Sequence, residues 1–343
     1  MTIPAVMKAA VTFRHGGPEA TEIIPDWPLP PPGPGQAVVR VTAAAVNNTD
    51  LWSRAGAYGT AHDPAAVVGW LGVPLTFPLI QGADIAGVVA SVGAGVNPSM
   101  VGRRVIVDPA LAYDGEFPTA VVGSEAHGGF AEYHLTDAIH IHDVDGSPLT
   151  DTQLACLPIA YGTAMAMIDR AECRALERVL VTGASGGVGL AAVQILSALG
   201  CTVVGYTSAD NVEVVESAGA REIIRRGVDD LGSMPEVDAV VDVVGGDTFG
   251  AVIDRLRSGG RLVLAGAISG PVVSLDLRRV YLRQRRIIGS TMHAPHHFVR
   301  LAELARVGVL SPWVAATYPL DRLHEAQARF EQKDFVGKLV ILP

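Results

Sequence analysis

Hydrophobic residues change their spacing partway along this chain. In the first third they form short runs bounded by Gly or Pro, and residues 37–46, 85–92 and 104–107 are predicted strands because β-branched residues dominate them. Residues 143–150 are rich in turn formers, which places the end of this part near residue 149. The pattern therefore predicts a β-rich domain over residues 1–149.

From residue 150 onward, predicted strands alternate with predicted helices. Thr150 and Gln153 have the spacing of a capping box, which predicts a helix over residues 154–167. The next predicted elements are strand 179–182, helix 188–199, strand 202–206, helix 212–218 and strands near 223–224, 239–244 and 262–265. This alternation is typical of a parallel sheet covered by helices on both faces, so the predicted fold class is α/β. The doubly wound domain is placed at residues 150–290, and residues 291–343 add helices and a final strand.

Composition narrows the class of protein. A chain of 343 residues exceeds what one hydrophobic core usually organises, which favours two domains. A formal net charge of −9 argues against nucleic acid as a partner, because phosphate backbones bind dense positive charge. The three cysteines form no close pair, and no apolar run approaches the roughly 18 residues of a membrane span. We therefore expect a cytoplasmic protein that binds neither nucleic acid nor a membrane.

The strongest local motif is a glycine turn between a predicted strand and a predicted helix. Its residues are Gly183, Ala184, Ser185, Gly186, Gly187, Val188 and Gly189. In such a turn one glycine permits the tight bend, another lets backbone amides approach a pyrophosphate, and the last allows close packing of helix and strand. The free N–H groups at the helix N-terminus then bind the anion. Because a strand precedes the turn and a helix follows it, the motif predicts a dinucleotide site at these residues.

The end of the next strand bears on the choice of dinucleotide. NAD-specific sites usually have an acidic residue about 20 residues after the turn, where it binds the ribose hydroxyls. Here the strand runs into Thr207 and Ser208, which leave room for a 2′-phosphate and favour NADP. Asp210 lies close enough to oppose a phosphate, and no Arg or Lys occurs between residues 206 and 212. We expect Thr207, Ser208 and Asn211 to bind NADP, with NAD as the alternative.

Three further segments and the end of the chain, taken with the glycine turn, resemble a known family. They are Val46-Asn47-Asn48-Thr49-Asp50, residues 78–89 with their continuation at 102–105, residues 128–133, and Gly337-Lys338-Leu339-Val340. Over essentially the whole chain, their order resembles the zinc-free quinone oxidoreductase branch of the medium-chain dehydrogenase/reductase superfamily. The resemblance implies a Rossmann domain and a GroES-like β-barrel catalytic domain built from both termini. It also implies an active site in the cleft between these domains and a homodimer.

The resemblance further implies that zinc is absent. In zinc-dependent relatives a cysteine stands where this chain has Asn47, a histidine where it has Ala83, and a third ligand near Ile159. None of these three side chains binds zinc. The structural zinc of those relatives needs four closely spaced cysteines, which residues 108–124 lack.

Histidines offer a rival metal signal. His140 and His142 have the spacing of one strand face, and His293, His296 and His297 cluster in sequence. Two ligands do not make a metal site, and alternating histidines on a strand more often face solvent. We therefore expect no bound metal.

Candidate catalytic residues follow from the resemblance and from the reaction. Reduction of a carbonyl-conjugated alkene needs a hydride, stabilisation of the developing enolate oxygen and a proton for the neighbouring carbon. Asn47 is a candidate donor to the carbonyl, and Tyr58 resembles a tyrosine of the family's substrate cleft, with packing on apolar neighbours as its alternative. Asp50 is a candidate acid, with a structural role as its alternative, and solvent can equally supply the proton. Tyr161 and Thr163, which fall beside the position of the missing third ligand, are expected to contact the nicotinamide.

These observations together predict an enzyme. The first hypothesis is NADPH-dependent, zinc-independent hydride transfer to a quinone, an enone or an enoyl-type substrate. The mostly apolar loop over residues 58–78 favours a small hydrophobic substrate and is a candidate lid. A reductase or cyclase of secondary metabolism on the same scaffold is the second hypothesis, and a nucleotide-binding protein without turnover is the third.

Overall fold

The computed structural model describes residues 3–59, residue 63 and residues 66–343. The chain divides into two units. The first, here named the terminal unit, comprises residues 1–159 and 294–343, and the second, the central unit, comprises residues 160–293. Both ends of the chain thus contribute to one unit, as the resemblance implied.

The described residues up to 143 form mainly strands, and strands and helices alternate from Pro158 onward through the central unit. The strands are β1 (Val6–Thr12), β2 (Thr21–Pro28), β3 (Gln36–Ala45), β4 (Leu79–Ile80), β5 (Asp84–Val92), β6 (Arg104–Val107), β7 (Ala110–Asp114), β8 (Phe117–Val121), β9 (Tyr133–Asp137), β10 (Ile141–Asp143), β11 (Arg178–Thr182), β12 (Thr202–Thr207), β13 (Glu222–Arg225), β14 (Val237–Asp242), β15 (Leu256–Leu264), β16 (Arg286–Gly289), β17 (Val314–Pro319) and β18 (Lys338–Leu342). The helices are α1 (Asn48–Ala55), α2 (Asp151–Leu154), α3 (Pro158–Arg170), α4 (Gly187–Ala198), α5 (Val212–Ser217), α6 (Phe249–Asp254), α7 (Arg278–Tyr281), α8 (Pro295–Val307) and α9 (Leu323–Gln332). Within the described part of the chain, no helix has both the length and the apolar character needed to cross a bilayer.

Strand β3 organises the terminal unit. It pairs antiparallel with β5, β9 and β18, in a sheet whose main order is β10-β6-β5-β3-β18-β17. β18 comes from the far end of the chain and joins β3 with Val340 opposite Ala45. Buried side chains such as Val39, Val89 and Leu339 share one hydrophobic core, so burial of apolar surface holds the two chain ends together. The predicted β-rich domain built from both ends of the chain is confirmed.

The central unit contains one parallel sheet with the order β13-β12-β11-β14-β15-β16. Each neighbouring pair of strands runs parallel. The first strand of the unit lies inside the sheet and the chain moves outward on both sides, which is the order of dinucleotide-binding Rossmann folds. The predicted α/β class and Rossmann domain are confirmed. β16 is an edge strand of this sheet, and the homodimer stays a prediction.

The helix predicted over residues 154–167 is two helices in the structure. α2 ends at Leu154 and α3 begins at Pro158, although the predicted capping box does open α2. Proline fits the first turn of a helix but not its interior, since it lacks the N–H that an interior position donates. α2 packs against β3 and β5. The terminal unit accordingly runs to Ile159, beyond the predicted boundary at 149, and resumes at Ala294.

The loop predicted to be a lid is described in part. Its residues 60–62, 64 and 65 lie outside the described residues. The Val68 N–H donates to Gly56 O (3.1 Å), and the Leu75 N–H donates to His15 Nε2 (3.1 Å). These bonds attach the described part of the loop to the end of α1 and to the segment after β1. The lid role stays a prediction.

Candidate functional site

The glycine turn lies between β11 and α4 in the central unit. β11 ends at Thr182, Gly183 has a positive φ of 57°, and α4 begins at Gly187. A Cβ added at Gly189 would lie 2.1 Å from Gly183 O, and one at Gly183 would lie 2.9 Å from Val244 Cγ2. At Gly189 the turn and the helix therefore approach each other too closely for a side chain, whereas Gly183 is favoured by its positive φ and by the nearby Val244 side chain.

The groups around the glycine turn are suited to bind an anionic ligand that carries hydroxyl groups. Among the described residues no side chain caps the N-terminus of α4, so its first N–H groups are available to a pyrophosphate. Thr207 Oγ1, at the end of β12, is buried and has no hydrogen-bond partner within the described chain. Ser185 Oγ accepts a hydrogen bond from Asn211 Nδ2 (3.0 Å). These groups fit a dinucleotide, and the residues predicted to bind its pyrophosphate and ribose stay a prediction.

Two arginines that sequence reasoning missed lie beside the end of β12. In the parallel pair β12 and β13, Thr207 is opposite Arg225, and the Arg226 N–H donates to Thr207 O (2.7 Å). The Arg225 guanidinium is paired with Asp229 (Nη2 to Oδ1, 2.8 Å). Arg226 is exposed, and its side chain has no partner among the described residues. The predicted strand at 223–224 was the available signal, because the carboxyl ends of neighbouring parallel strands meet at one edge of a sheet.

The residues expected near the nicotinamide lie in α3. The Tyr161 hydroxyl donates to Gln194 Oε1 (3.0 Å), which fastens α3 to α4. Thr163 is buried. A Cβ added at Gly162 would lie 2.6 Å from His293 Nδ1, so the glycine permits this close approach. The Tyr161 hydroxyl thus links two helices, and the contacts of Tyr161 and Thr163 with the cofactor stay predictions.

Asp50 ties the start of α1 to a neighbouring turn in the terminal unit. Its Oδ2 accepts from the Asn47 N–H (2.7 Å), and its Oδ1 accepts from the Gly82 N–H (3.3 Å). Burial raises the pKa of this carboxyl group to about 7, against the opposing effects of the Asn47 N–H and of the Lys338 ammonium. The geometry matches the structural alternative for Asp50, and a role as an acid stays a prediction.

Asn47 lies in a buried polar cluster with Asp84 and Lys338. Its Nδ2 donates to Asp84 Oδ2 (2.9 Å) and to Ala45 O (3.3 Å). Lys338 Nζ donates to Asn47 Oδ1 and to Asp84 Oδ2, the latter at 2.9 Å. Because both N–H bonds of the Asn47 amide already have acceptors, the predicted donation from this amide to a substrate carbonyl would require one of these bonds to break. Sequence reasoning missed Lys338 and Asp84 as members of the cluster.

Tyr58 lies just beyond α1, next to a second hydroxyl group. Thr49 hydrogen-bonds to the Tyr58 hydroxyl, and the Tyr58 ring packs edge-on against Trp52 with centroids 5.7 Å apart. Burial raises the pKa of Tyr58, so the hydroxyl keeps its proton at neutral pH. The structure therefore shows both apolar packing and a hydroxyl pair that is able to donate.

Family comparisons agree with both units. Residues 33–146 match the family described as the alcohol dehydrogenase GroES-like domain, and residues 187–306 match the zinc-binding dehydrogenase family. A quinone oxidoreductase of Mus musculus is 30% identical over 361 residues, which span 98% of this chain and 98% of the relative. The chain belongs to the medium-chain dehydrogenase/reductase superfamily.

Several solved oxidoreductase structures are similar to this superfamily member. A candidate alcohol dehydrogenase from Sinorhizobium meliloti 1021 is similar with a TM-score of 0.94 and 40% identity, over 99% of this chain and 98% of that one. A 2-octenoyl-CoA carboxylase reductase, solved with NADP and 2-octenoyl-CoA, is similar with a TM-score of 0.83 and 26% identity, over 99% and 88% of the two chains. This medium-chain dehydrogenase/reductase is an oxidoreductase of the quinone oxidoreductase-like branch, in a family that depends on pyridine nucleotides.

The three positions that hold zinc in metal-dependent members of the superfamily meet in the terminal unit. Asn47 and Ile159 both contact Asp84, whose Oδ1 accepts from the Ile159 N–H (2.7 Å), and Ala83 precedes Asp84 in the chain. Ala83 and Ile159 offer no ligand atom, and the nearby carboxylate is already paired with a lysine. A buried ammonium beside the position repels a divalent cation. The residues present do not fit a catalytic zinc ion.

Two of the histidines considered as a rival metal signal, His142 and His297, have other contacts in the structure. The His142 ring packs edge-on against Phe298, with centroids 4.9 Å apart. His297 Nδ1 accepts from the Ala294 N–H (3.1 Å) at the start of α8. His140 and His142 do not lie on one strand, since β10 begins at Ile141.

Replacing Gly189 with valine should severely weaken dinucleotide binding, because the new side chain would meet Gly183 O at 2.1 Å and Ala184 Cα at 2.8 Å. We expect the Kd for NADPH and for NADH to rise about 100-fold or more in a fluorescence titration. Gly289→Val is the matched control, because a Cβ at Gly289 meets no atom within 4 Å. Unchanged affinity in Gly189→Val would place the phosphate site elsewhere.

Asp50 should make the stability of the protein depend on pH. Its pKa of about 7 in the folded chain exceeds the ordinary aspartate pKa of 3.8, so between these values the folded chain holds a proton there that the unfolded chain has released. The free energy of unfolding should therefore fall as pH rises through this window, by at most about 1.4 kcal/mol per pH unit. Melting curves from pH 5 to 7 should show a smaller slope for Asp50→Asn than for wild type, whereas the exposed control Glu22→Gln keeps the wild-type slope. Equal slopes in all three proteins would contradict the prediction.

Proposed function

We propose that this protein is an NADPH-dependent, zinc-independent reductase of small hydrophobic substrates in which a carbonyl is conjugated to an alkene, namely quinones, enones or enoyl thioesters. The observation that carries the proposal is an intact dinucleotide turn together with zinc-ligand positions occupied by Asn47, Ala83 and Ile159, beside an Asp84 that is paired with Lys338. A bound reduced nicotinamide supplies the hydride. The remaining steps need only donors to an oxygen and a proton for carbon.

The substrate class follows from what the residues of the terminal unit are able to stabilise. Hydride addition to a conjugated alkene places negative charge on the carbonyl oxygen, and neutral hydrogen-bond donors stabilise such an oxyanion in a site shielded from water. The Thr49 and Tyr58 hydroxyls form a pair of that kind. The names of the relatives support the same class, since one is a quinone oxidoreductase and another acts on an octenoyl thioester.

Tyr58 is the favoured donor to the substrate oxygen. Burial raises its pKa, so it is protonated over the physiological range, and its bond with Thr49 orients the hydroxyl. Asn47 does not donate to the substrate in this assignment, because its amide hydrogens are already bonded to Asp84 and Ala45. Asp50 holds the first turn of α1 on which Thr49 lies. In this assignment Tyr58 contacts substrate, while Asn47 and Asp50 position the helix.

The preference for NADPH rests on Arg226. The 2′-phosphate of NADP is the group that distinguishes it from NAD, and an arginine without a protein partner near the ribose end of β12 is suited to bind it. Arg225 is less suited because Asp229 already holds its guanidinium. Arg226 also outweighs the objection from Asp210, since it supplies the positive charge that residues 206–212 lack.

The experiment for the proposed function is a stopped-flow screen of NADPH and NADH oxidation against benzoquinones, 2-alkenals and enoyl thioesters. Wild type should oxidise NADPH with at least one of these acceptors and should keep its rate after dialysis against a chelator. Tyr58→Phe, which removes only the hydroxyl, should lower kcat about 10- to 100-fold with little change in melting temperature. Tight cofactor binding without turnover of any acceptor would favour a nucleotide-binding protein, and a stoichiometric metal essential for activity would refute zinc independence.

Arg226→Ala should weaken NADPH binding selectively. Loss of one charge-assisted contact to the 2′-phosphate should raise the Kd for NADPH about 10- to 100-fold and leave the Kd for NADH unchanged. Arg221→Ala is the matched control, because it removes the same charge from an exposed residue just before the amino end of the same strand, β13. Equal loss of NADPH affinity in both variants would indicate a general charge effect, and tighter binding of NADH than NADPH by wild type would refute the preference itself.

A further inference from the structure

Lys338 is a buried cation to which the proposed reaction assigns no role. It is the first residue of β18, and its side chain is 7% exposed while that of Asp84 is fully buried. A charge with so little access to water is costly unless a partner compensates it. The compensation is specific here, since the ammonium donates to Asp84 Oδ2 and to Asn47 Oδ1.

The ammonium joins segments that are distant in sequence. Lys338 and Asn47 are 291 residues apart, and Lys338 and Asp84 are 254 residues apart. Asp84 in turn accepts from the Ile159 N–H near the start of α3. The lysine and the carboxylate together therefore hold the N-cap residue of α1, the first residue of β5 and the beginning of α3.

The bonds that hold Asn47 also bear on the position of the Thr49 and Tyr58 hydroxyls. Asn47 is the N-cap residue of α1, Thr49 lies in the first turn of that helix, and Thr49 hydrogen-bonds to Tyr58. With Asn47 Oδ1 bound to Lys338 and Nδ2 bound to Asp84, the amide has one orientation and the helix start is fixed. A shift of about 1 Å in a catalytic group lowers rates about 100-fold, so this fixation has a measurable consequence.

We propose that Lys338 is a positioning residue that takes over the organising role of a metal cation: its ammonium holds Asn47 and Asp84, and through Asn47 it sets the position of Thr49 and Tyr58. This inference rests on the proposed function for its effect on rate. The competing explanation is a structural ion pair that contributes to stability alone. The two explanations differ once stability is restored without the charges.

One single variant and one double variant separate the two explanations. Lys338→Met leaves Asp84 uncompensated and should lower the melting temperature, whereas Lys338→Met combined with Asp84→Asn removes both charges and should recover it. Turnover should not recover with it: kcat should stay about 100-fold below wild type in the double variant, with the Kd for NADPH unchanged. Lys8→Met is the matched control, because it removes a lysine from the exposed pair with Asp321 in the same unit (3.2 Å). Recovery of both melting temperature and kcat in the double variant would overturn the proposal.

A second measurement does not depend on turnover and so stays decisive if wild type reduces none of the acceptors tested. In protein labelled with 15N-asparagine, the Asn47 side-chain amide is assigned from the signal missing in Asn47→Asp. Its hydrogens should exchange with solvent about tenfold faster in Lys338→Met, or in the double variant if the single one does not fold, than in wild type and Lys8→Met. Unchanged exchange and chemical shift would mean that Lys338 does not orient Asn47, which would overturn the proposal whatever the outcome of the acceptor screen.

Discussion

The ion pair between Lys338 and Asp84 is the interaction on which the candidate chemistry of the terminal unit depends. Two opposite charges out of water stabilise a protein only when their remaining hydrogen-bonding capacity is also met. Asp84 meets it with donors from Asn47, Lys338 and Ile159. The same bonds orient Asn47 and fix the start of α1. Compensation of the buried charges therefore also sets the position of this helix.

The central unit depends on a steric constraint instead. Helix α4 lies so close to β11 that Gly189 has room for no side chain, and Gly183 takes up the positive φ that the bend requires. The absence of a capping side chain on α4, within the described residues, leaves its first N–H groups for a ligand. The glycine turn thus has helix N–H groups without a side-chain partner among the described residues, whereas both oxygens of Asp84 and both N–H bonds of the Asn47 amide are hydrogen-bonded. In our proposals the first arrangement binds a ligand and the second positions a helix.

The chemistry proposed for this superfamily member fits a cluster without a Lewis acid. Oxidation of a simple alcohol gains much from a cation that stabilises an alkoxide, whereas a conjugated carbonyl spreads the developing charge and is served by neutral donors. In the proposed function Thr49 and Tyr58 supply such donors, and burial raises the pKa of Tyr58 so that it stays protonated. The lysine contributes its charge to the scaffold, since it is paired with Asp84 and bonded to Asn47.

The sequence alone determined the features that depend on neighbours in the chain. The glycine turn, the alternation of strands and helices, the fold class and the superfamily resemblance were all readable, because backbone bends and hydrophobic periodicity are local properties. The end of α2 was misjudged for a local reason, since Pro158 starts a helix and cannot continue one.

Only the tertiary structure decided what stands around Asp84 and beside Thr207. Lys338 reaches Asp84 because β18 pairs with β3, and Arg226 reaches the end of β12 because β13 pairs with it. Strand pairing joins residues separated by any length of chain, and a single sequence carries no signal for which side chains it will bring together. For the same reason the sequence identified Asn47 as a candidate but not the bonds that occupy its amide.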